Sequence, residues 1–433
     1  MSLSPQQYRS VLRSHFASFV MRCFSELYSQ IRLVMNGHIL VMASRFAMVR
    51  EGRIRRLIIT VPPRHLKSLI GSVAFPAWSL GHNPAAPIIC ISYAQELSEK
   101  HARDCRRIMM SGWYRELFPN TRLSSQRPAA QELITTAGGY RLASSIGGVL
   151  TGRGADIIVI DDPLKPADAM SDVLRQGAND WFDHTLLSRQ NDKRTSAIII
   201  IQQRLHEDDL VGHVLGLEDW DVVRFPAIAE DDEEYEYSTA FGSGVFKRRK
   251  SDPLHPEREP LETLEQLRRQ MGEYAFAGQY QQAPAPLGGG LIKTEWFRRY
   301  EPHQKPDTFD RIVQSWDTAS KVTELADYSV CTTWGIEGKD IYLLHVFRKQ
   351  LEYPDLKRAV RHQRQLFSAN VVLIEDKASG TPLIQDLNRE GLGAMTPYKP
   401  DGDKVMRMHA QTAIIEDGRS VAKGCALAGG IPA

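Results

Sequence analysis

Residues 57–71 of this 433-residue chain read Leu-Ile-Ile-Thr-Val-Pro-Pro-Arg-His-Leu-Lys-Ser-Leu-Ile-Gly, and they constrain the fold more than any other stretch. Residues 57–61 are apolar and β-branched, the pattern of a buried strand. Pro62-Pro63 ends the strand and forces a turn. Lys67-Ser68 then opens a segment, residues 69–78, with the composition of a helix. A strand, a tight loop, Lys-Ser and a helix form the layout of a phosphate-binding loop. In such a loop the backbone N–H groups and helix N-terminus hold phosphate oxygens, the lysine reaches the β/γ-phosphates and the serine holds Mg²⁺. The strict pattern G-x-x-x-x-G-K-[ST] asks for glycine at 61 and 66, where Val61 and Leu66 stand. By itself the stretch also fits an ordinary strand–turn–helix.

A second stretch separates the two readings. Residues 155–163 are Ala-Asp-Ile-Ile-Val-Ile-Asp-Asp-Pro. The run 157–160 suits a parallel strand covered on both faces. Asp161 and Asp162 then fall at its carboxyl end, where open α/β sheets place their ligand chemistry. An acid there holds Mg²⁺ in P-loop NTPases, and a second acid can orient the attacking water. Two aspartates before a proline are also common in turns. The two stretches together predict an NTPase.

The length predicts two domains. A formal net charge of +2 gives no strong global field, so nucleic-acid contact would rest on local basic patches. Cys23, Cys90, Cys105, Cys331 and Cys425 are scattered, without a C-x-x-C pair, which fits a reducing compartment rather than a disulfide framework or zinc site. No signal peptide is visible at the N-terminus, and no apolar run reaches the roughly 18 residues of a membrane span.

Along the chain, residues 5–50 read as helices without a catalytic signature. The arginines of Gly52-Arg53-Ile54-Arg55-Arg56 are either phosphate contacts or a solvated turn. Residues 87–93 read as a strand. Residues 94–110 read as a helix whose Arg103, Arg106 and Arg107 either track a DNA backbone or form an exposed face. A β-rich, glycine-punctuated stretch follows, then a helix over 169–187 and a strand over 196–201. Gln203 and Arg204 follow this strand. They are candidates to sense the γ-phosphate and couple it to movement, or else mark the strand's end before a helix cap. The acidic run 230–236 and the basic run 247–250 are expected in a solvated loop. Residues 261–280 read as a helix, and 281–290 have the composition of a linker. The predicted boundary divides an ATPase domain, 1–284, from a second domain, 285–433.

The second domain predicts strands over 311–316, 328–335 and 340–347, a helix over 354–367, a strand over 371–374 and a further helix from Gly380. Asp317 ends the first strand and Glu375 the fourth. A three-strand meander, a helix and a fourth strand, with acids at these two ends, is the order of an RNase H-like nuclease. Its carboxylates hold two Mg²⁺ or Mn²⁺ about 3.5–4 Å apart.

The chain resembles the large terminase subunit of tailed bacteriophages over almost its whole length. The resemblance rests on the order of five blocks: Pro62-Pro63-Arg64-His65-Leu66-Lys67-Ser68; Ile158-Val159-Ile160-Asp161-Asp162-Pro163; Gly278-Gln279-Tyr280-Gln281-Gln282-Ala283-Pro284; Ser315-Trp316-Asp317-Thr318-Ala319; and Ile374-Glu375-Asp376-Lys377-Ala378-Ser379-Gly380. It implies an α/β fold with an N-terminal P-loop (ASCE-type) ATPase domain and a C-terminal RNase H-like nuclease domain. It further implies ATP-driven translocation of double-stranded viral DNA into a capsid and cutting of concatemers. The implied partners are a small terminase subunit, a portal protein and further copies of the chain in a ring, in the host bacterial cytoplasm. Carried over by position, Pro63, Arg64, His65, Leu66, Lys67 and Ser68 bind ATP. Arg64 is similar to the loop arginine that acts on the γ-phosphate. Ser68 and Asp161 hold Mg²⁺, and Asp162 positions water where many relatives use glutamate. Asp317 and Glu375 are metal ligands, with Asp327 auxiliary.

Two departures qualify this. Relatives usually carry glycine before the lysine, so Leu66 adds a Cβ and a branched side chain where backbone must approach phosphate, and a positive φ there would be costly. The family's third metal-binding acid belongs to a later block that has no match here. Asp401, Asp403 and Asp417 are near it in sequence only. The expectation is a C-terminally shortened or frame-shifted prophage copy. The alternatives are a catalytically impaired remnant acting only as a binding module, and a helicase-like repair ATPase.

Overall fold

The computed structural model describes residues 4–124, 131–148, 150, 152–284, 296–318, 328–375, 380–391, 395–399, 407–408, 411–416 and 420–423. The chain divides into two compact units, Met1–Pro286 and Leu287–Ala433.

The first unit is built on seven strands: β1 (Arg56–Thr60), β2 (Pro87–Ser92), β3 (Glu132–Ile134), β4 (Tyr140–Ser145), β5 (Ile157–Asp161), β6 (Ala197–Gln202) and β7 (Asp221–Arg224). They lie in the order β3-β4-β2-β5-β6-β1-β7. All neighbours are parallel except β3 against β4. The strand alternation explains why these runs are apolar throughout. Ile199 and Ile201 of β6 join one core with Leu57, Ile59, Ile88 and Val159, beneath the N-terminal helices. Ile198 and Ile200 join a second core with Ile58, Ile89, Ile158 and Ile160, against Phe182, Leu186, Leu210 and Val214. With both faces covered, each position is buried whichever way it points.

The N-terminal helices are Pro5–Ser14, Phe16–Leu27 and Gly37–Arg50. The first break falls at His15, which has extended backbone. The run 69–78 is helical, though its first part, Leu69–Ala74, is a π-helical turn that passes into the α-helix Phe75–His82. Gly71 allows this segment to pack tightly, since a Cβ there would lie 3.2 Å from Phe46 and 3.3 Å from Ile201.

Three expectations need correction. The acidic and basic runs do not form a solvated loop. They pair as an antiparallel hairpin, β8 (Glu233–Thr239) with β9 (Gly242–Arg248). Its charges face each other across the ladder, Glu234 with Lys247 and Glu233 with Arg248, the latter at 2.9 Å. Tyr235 packs between Phe225 and Phe246, at 4.8 and 6.0 Å between ring centroids. The predicted single helix over 261–280 is two, Leu261–Met271 and Glu273–Gln279, broken where Gly272 takes φ 82°. The start of the expected linker is bound into the first unit. Gln281 exchanges two hydrogen bonds with the backbone of Ile228, at 2.9 Å each, and Gln282 is 2% exposed.

The second unit holds β10 (Arg298–Tyr300), β11 (Arg311–Asp317), β12 (Ser329–Glu337), β13 (Asp340–Lys349), β14 (Val371–Glu375), β15 (Met395–Tyr398) and β16 (Ser420–Lys423). Their order is β10-β16-β13-β12-β11-β14-β15. β11, β12 and β13 form the antiparallel meander, and β14 and β15 continue parallel to β11. The helices Tyr353–Phe367 and Gly380–Arg389 make the two crossovers. Trp316, Leu356, Val360, Val372, Ile374, Leu383 and Leu387 form the core between helices and sheet. This is the RNase H-like arrangement, and the first unit has the P-loop arrangement with one strand, β6, between the lysine-bearing and acid-bearing strands.

Candidate active sites

In the first unit, the carboxyl ends of β1, β5 and β6 meet at one place because the strands are parallel and adjacent. β1 delivers the loop of Pro62 to Ser68, β5 delivers Asp161 and Asp162, and β6 delivers Gln203. The Lys67 ammonium donates to Asp162 Oδ1 at 2.8 Å. Ser68 Oγ donates to Asp161 Oδ1 at 3.1 Å, and Ser72 Oγ donates to Asp161 Oδ2 at 2.8 Å. The backbone N–H of Gln203 donates to Asp162 Oδ1 at 3.2 Å. Asp161 is 1% exposed. Burial raises the carboxyl of each aspartate above the usual range, against the pull of the Lys67 charge.

The loop makes its turn without glycine. Arg64 and Leu66 both stand at φ 65°, and Asp162 at φ 48°. Alternation of left-handed and ordinary residues turns successive N–H groups toward one concavity. Arg64 is exposed, whereas His65 is 2% exposed, with Nδ1 donating to Pro63 O at 3.0 Å. Burial pushes the His65 ring down to about 4. Its ring therefore serves the interior, and a phosphate would meet the backbone of this residue.

The site has members that motif reading missed. Ser72 lies one helical turn beyond Ser68 and takes the second oxygen of Asp161. That spacing is present in the sequence, but only the contact reveals its use. His101, on the helix Gln95–Met110, has Nδ1 at 3.7 Å from Asp161 Oδ2, and burial pushes it down to about 3. Arg141 of β4 is fully buried and donates from Nη2 to Ser72 O at 3.0 Å. Nothing in a single sequence marks an arginine in a strand as part of a distant cluster.

The coupling candidates divide. Gln203 touches the acid through its backbone. The Arg204 guanidinium is committed elsewhere, to Asp209 at 2.9 Å and to the carbonyls of His206 and Glu207 at 3.2 Å each. Its backbone N–H donates to Gln282 Oε1 at 2.9 Å. Gln203 and Arg204 thus sit between Asp162 and the Tyr280–Gln282 segment.

The oxygens of Ser68 and Asp161 are a hard donor set at hydrogen-bond distance, which suits Mg²⁺. The concave loop beside Lys67 suits the phosphates of a nucleotide. In the second unit, β11 and β14 are parallel with Trp316 opposite Ile374, so Asp317 and Glu375 are the next residues on adjacent strands. Two neighbouring carboxylates there fit a divalent cation. Asp327, Asp401, Asp403 and Asp417 lie outside the described residues. Among the described residues no group of three His, Cys, Asp or Glu side chains is placed to hold a metal. No described helix is long and apolar enough to cross a membrane.

Residues 314–422 match the family model described as the terminase RNaseH-like domain. A comparison with curated proteins found no match. Among solved structures, the chain is similar to the large terminase of a thermophilic bacteriophage in complex with ADP, at 10% identity, 88% of each chain covered and a TM-score of 0.46. It is similar to the HK97 bacteriophage large terminase at 11% identity, with 94% of this chain and 90% of that one covered and a TM-score of 0.41. A third similarity is to the large terminase nuclease of thermophilic phage G20c with bound magnesium, at 14% identity, with 33% and 77% covered and a TM-score of 0.25.

Proposed function

We propose that this chain is the large subunit of a phage terminase, coupling ATP hydrolysis to movement of double-stranded DNA and cutting that DNA with a metal-dependent nuclease. The observation that carries the ATPase reading is the convergence of Lys67, Ser68, Asp161 and Asp162 at the carboxyl ends of β1 and β5. The observation that carries the nuclease is the match of residues 314–422 together with the adjacency of Asp317 and Glu375.

In this reading Lys67 leaves Asp162 and binds the β/γ-phosphates, while the backbone of Arg64 to Lys67 lines them. Ser68 and Asp161 would hold Mg²⁺, which supplies charge neutralisation on the phosphate oxygens. Asp162, freed of its cation, orients water and accepts its proton. The exposed Arg64 is free to turn to the transferred group. Asp317 and Glu375 would hold the nuclease metal, two ions of Mg²⁺ or Mn²⁺, with Asp327 as the proposed auxiliary acid. The implied partners are a small terminase subunit, a portal and further copies of the chain, in the cytoplasm of the host cell.

Two assays test the reading. ATP hydrolysis by the full chain, stimulated by DNA, is expected to vanish in Lys67→Ala, and hydrolysis that survives the substitution would refute the site. Plasmid cleavage in Mn²⁺ is expected to be lost in Asp317→Asn. Cleavage of equal rate by the folded variant would remove Asp317 from the nuclease.

A further inference from the structure

Glycine normally supplies the positive φ of a phosphate-binding loop, and this chain has none from Val61 to Ile70. Arg64 and Leu66 nevertheless both take φ 65°. A side chain in the left-handed region crowds the following carbonyl, so the shape needs outside support. The approach is stiffened by Pro62-Pro63, whose rings fix φ. On the exit side, Leu66 O already accepts the N–H of Ile70 at 2.9 Å, beginning the helix. Only Arg64, His65 and Leu66 remain to make the turn.

His65 is the most deeply buried of these three, with Leu66 partly buried against the core and Arg64 exposed. It is 2% exposed, it bonds Pro63 O, and its ring meets His38 edge-on at 5.2 Å and lies 6.4 Å from His255. His38 is in turn fixed, its Nδ1 2.8 Å from Oδ1 of Asn36, the N-cap of the helix Gly37–Arg50. We infer that His65 is the positioning residue of this loop: its buried ring holds Arg64 and Leu66 in the left-handed backbone that glycine would otherwise provide. The inference rests on the reading of the loop as a nucleotide site for its purpose, though not for its test.

The test is a cycle of thermal unfolding on the full chain without nucleotide, following the transition of the first unit. Leu66→Ala and Leu66→Gly lose the same packing, so their difference reports the backbone alone. With His65 native, the glycine variant is expected to melt about 2–4 °C above the alanine variant, the reverse of the usual order. In a His65→Ala background the advantage should disappear. His65→Leu, which keeps apolar bulk but removes the donor to Pro63, is a second background in case the alanine chain does not fold, and the advantage should shrink there too. A glycine advantage of equal size with and without His65, or none with His65 native, overturns the inference. Affinity for a fluorescent ATP analogue is the second readout. His65→Ala is expected to weaken it at least tenfold, and adding Leu66→Gly should recover most of the loss. A chain that melts as expected but never binds the analogue keeps the positioning role and refutes the nucleotide reading instead.

Discussion

Asp162 carries two demands that conflict until a ligand arrives. It holds the Lys67 ammonium at 2.8 Å, and in the proposed mechanism it must be free to work on water. Asp162→Asn keeps the shape and a weaker bond to Lys67 but removes the base. It is expected to lower kcat for ATP hydrolysis by about 10²–10⁴-fold while leaving KM within a few-fold, measured by steady-state kinetics. Loss of affinity without loss of kcat would assign the residue to binding alone. At this scale the sequence was legible in part. The residue types at 67, 68, 161 and 162 stand out because strand, loop and helix signals surround them. The cost of a positive φ at Leu66 was readable from its side chain, and the structure puts both Leu66 and Arg64 in that region. Ser72, His101 and Arg141 were not legible. Their membership comes from tertiary contact between segments whose local patterns are those of ordinary helix and strand.

Among the elements, the hairpin β8–β9 shows how charge misleads. Glu and Lys runs read as solvated, but Tyr235 and Tyr237 stand opposite Phe246 and Gly244, which gives the hairpin an aromatic face, while Glu234 and Lys247 pair on the other. The aromatic face is seated on the helix Gly37–Arg50, whose first residue is glycine for a steric reason: a Cβ at Gly37 would lie 2.0 Å from the Phe246 ring. Gly37→Ala is therefore expected to destabilise the first unit by about 1–3 kcal/mol in urea unfolding. In a Phe246→Ala background the same substitution should cost less, which a double-mutant cycle detects. The pair Gln281–Gln282 is a second case. Its composition reads as linker, yet Gln282 caps the backbone N–H of Arg204 at 2.9 Å, one residue from the group that touches Asp162. Gln282→Leu leaves that N–H without its partner and is expected to cost about 1–3 kcal/mol, with a fall in ATP turnover that exceeds the loss of folded protein. Turnover proportional to the folded fraction would limit the residue to structure.

For the whole molecule, strand content was the most legible property, because buried parallel strands announce themselves as unbroken Ile and Val runs. Strand order was not written in any such local signal. It entered through the resemblance and is fixed physically by which apolar faces meet. Three buried imidazoles, His38, His65 and His255, also give the first unit a pH dependence. Burial depresses all three, His65 to about 4. At these three rings the unfolded chain binds more protons than the folded one below about pH 6.5, down to about pH 4 for His65. Their contribution to stability is full above that window and falls as pH drops through it, while the raised carboxyls of Asp161 and Asp162 act in the opposite direction. For His65 alone the loss at pH 5.5 relative to pH 7.5 is about 1 kcal/mol, from the two pKa values. Urea midpoints of the native chain at these two pH values, beside His65→Leu, should show the smaller decline in the variant.

The position of β1 has a consequence for how the chain is made. Its neighbours in the sheet are β6 and β7 and not β2, so Ile58 waits for Ile200 and Leu57 for Asp221. A polypeptide emerging from the ribosome exposes a bare Leu-Ile-Ile run through most of the synthesis of its first half. Such strands stick to one another before they find their place. Fragments that stop short of β7 should accumulate as insoluble protein, whereas one extended through Gln282 should be recovered in the soluble fraction.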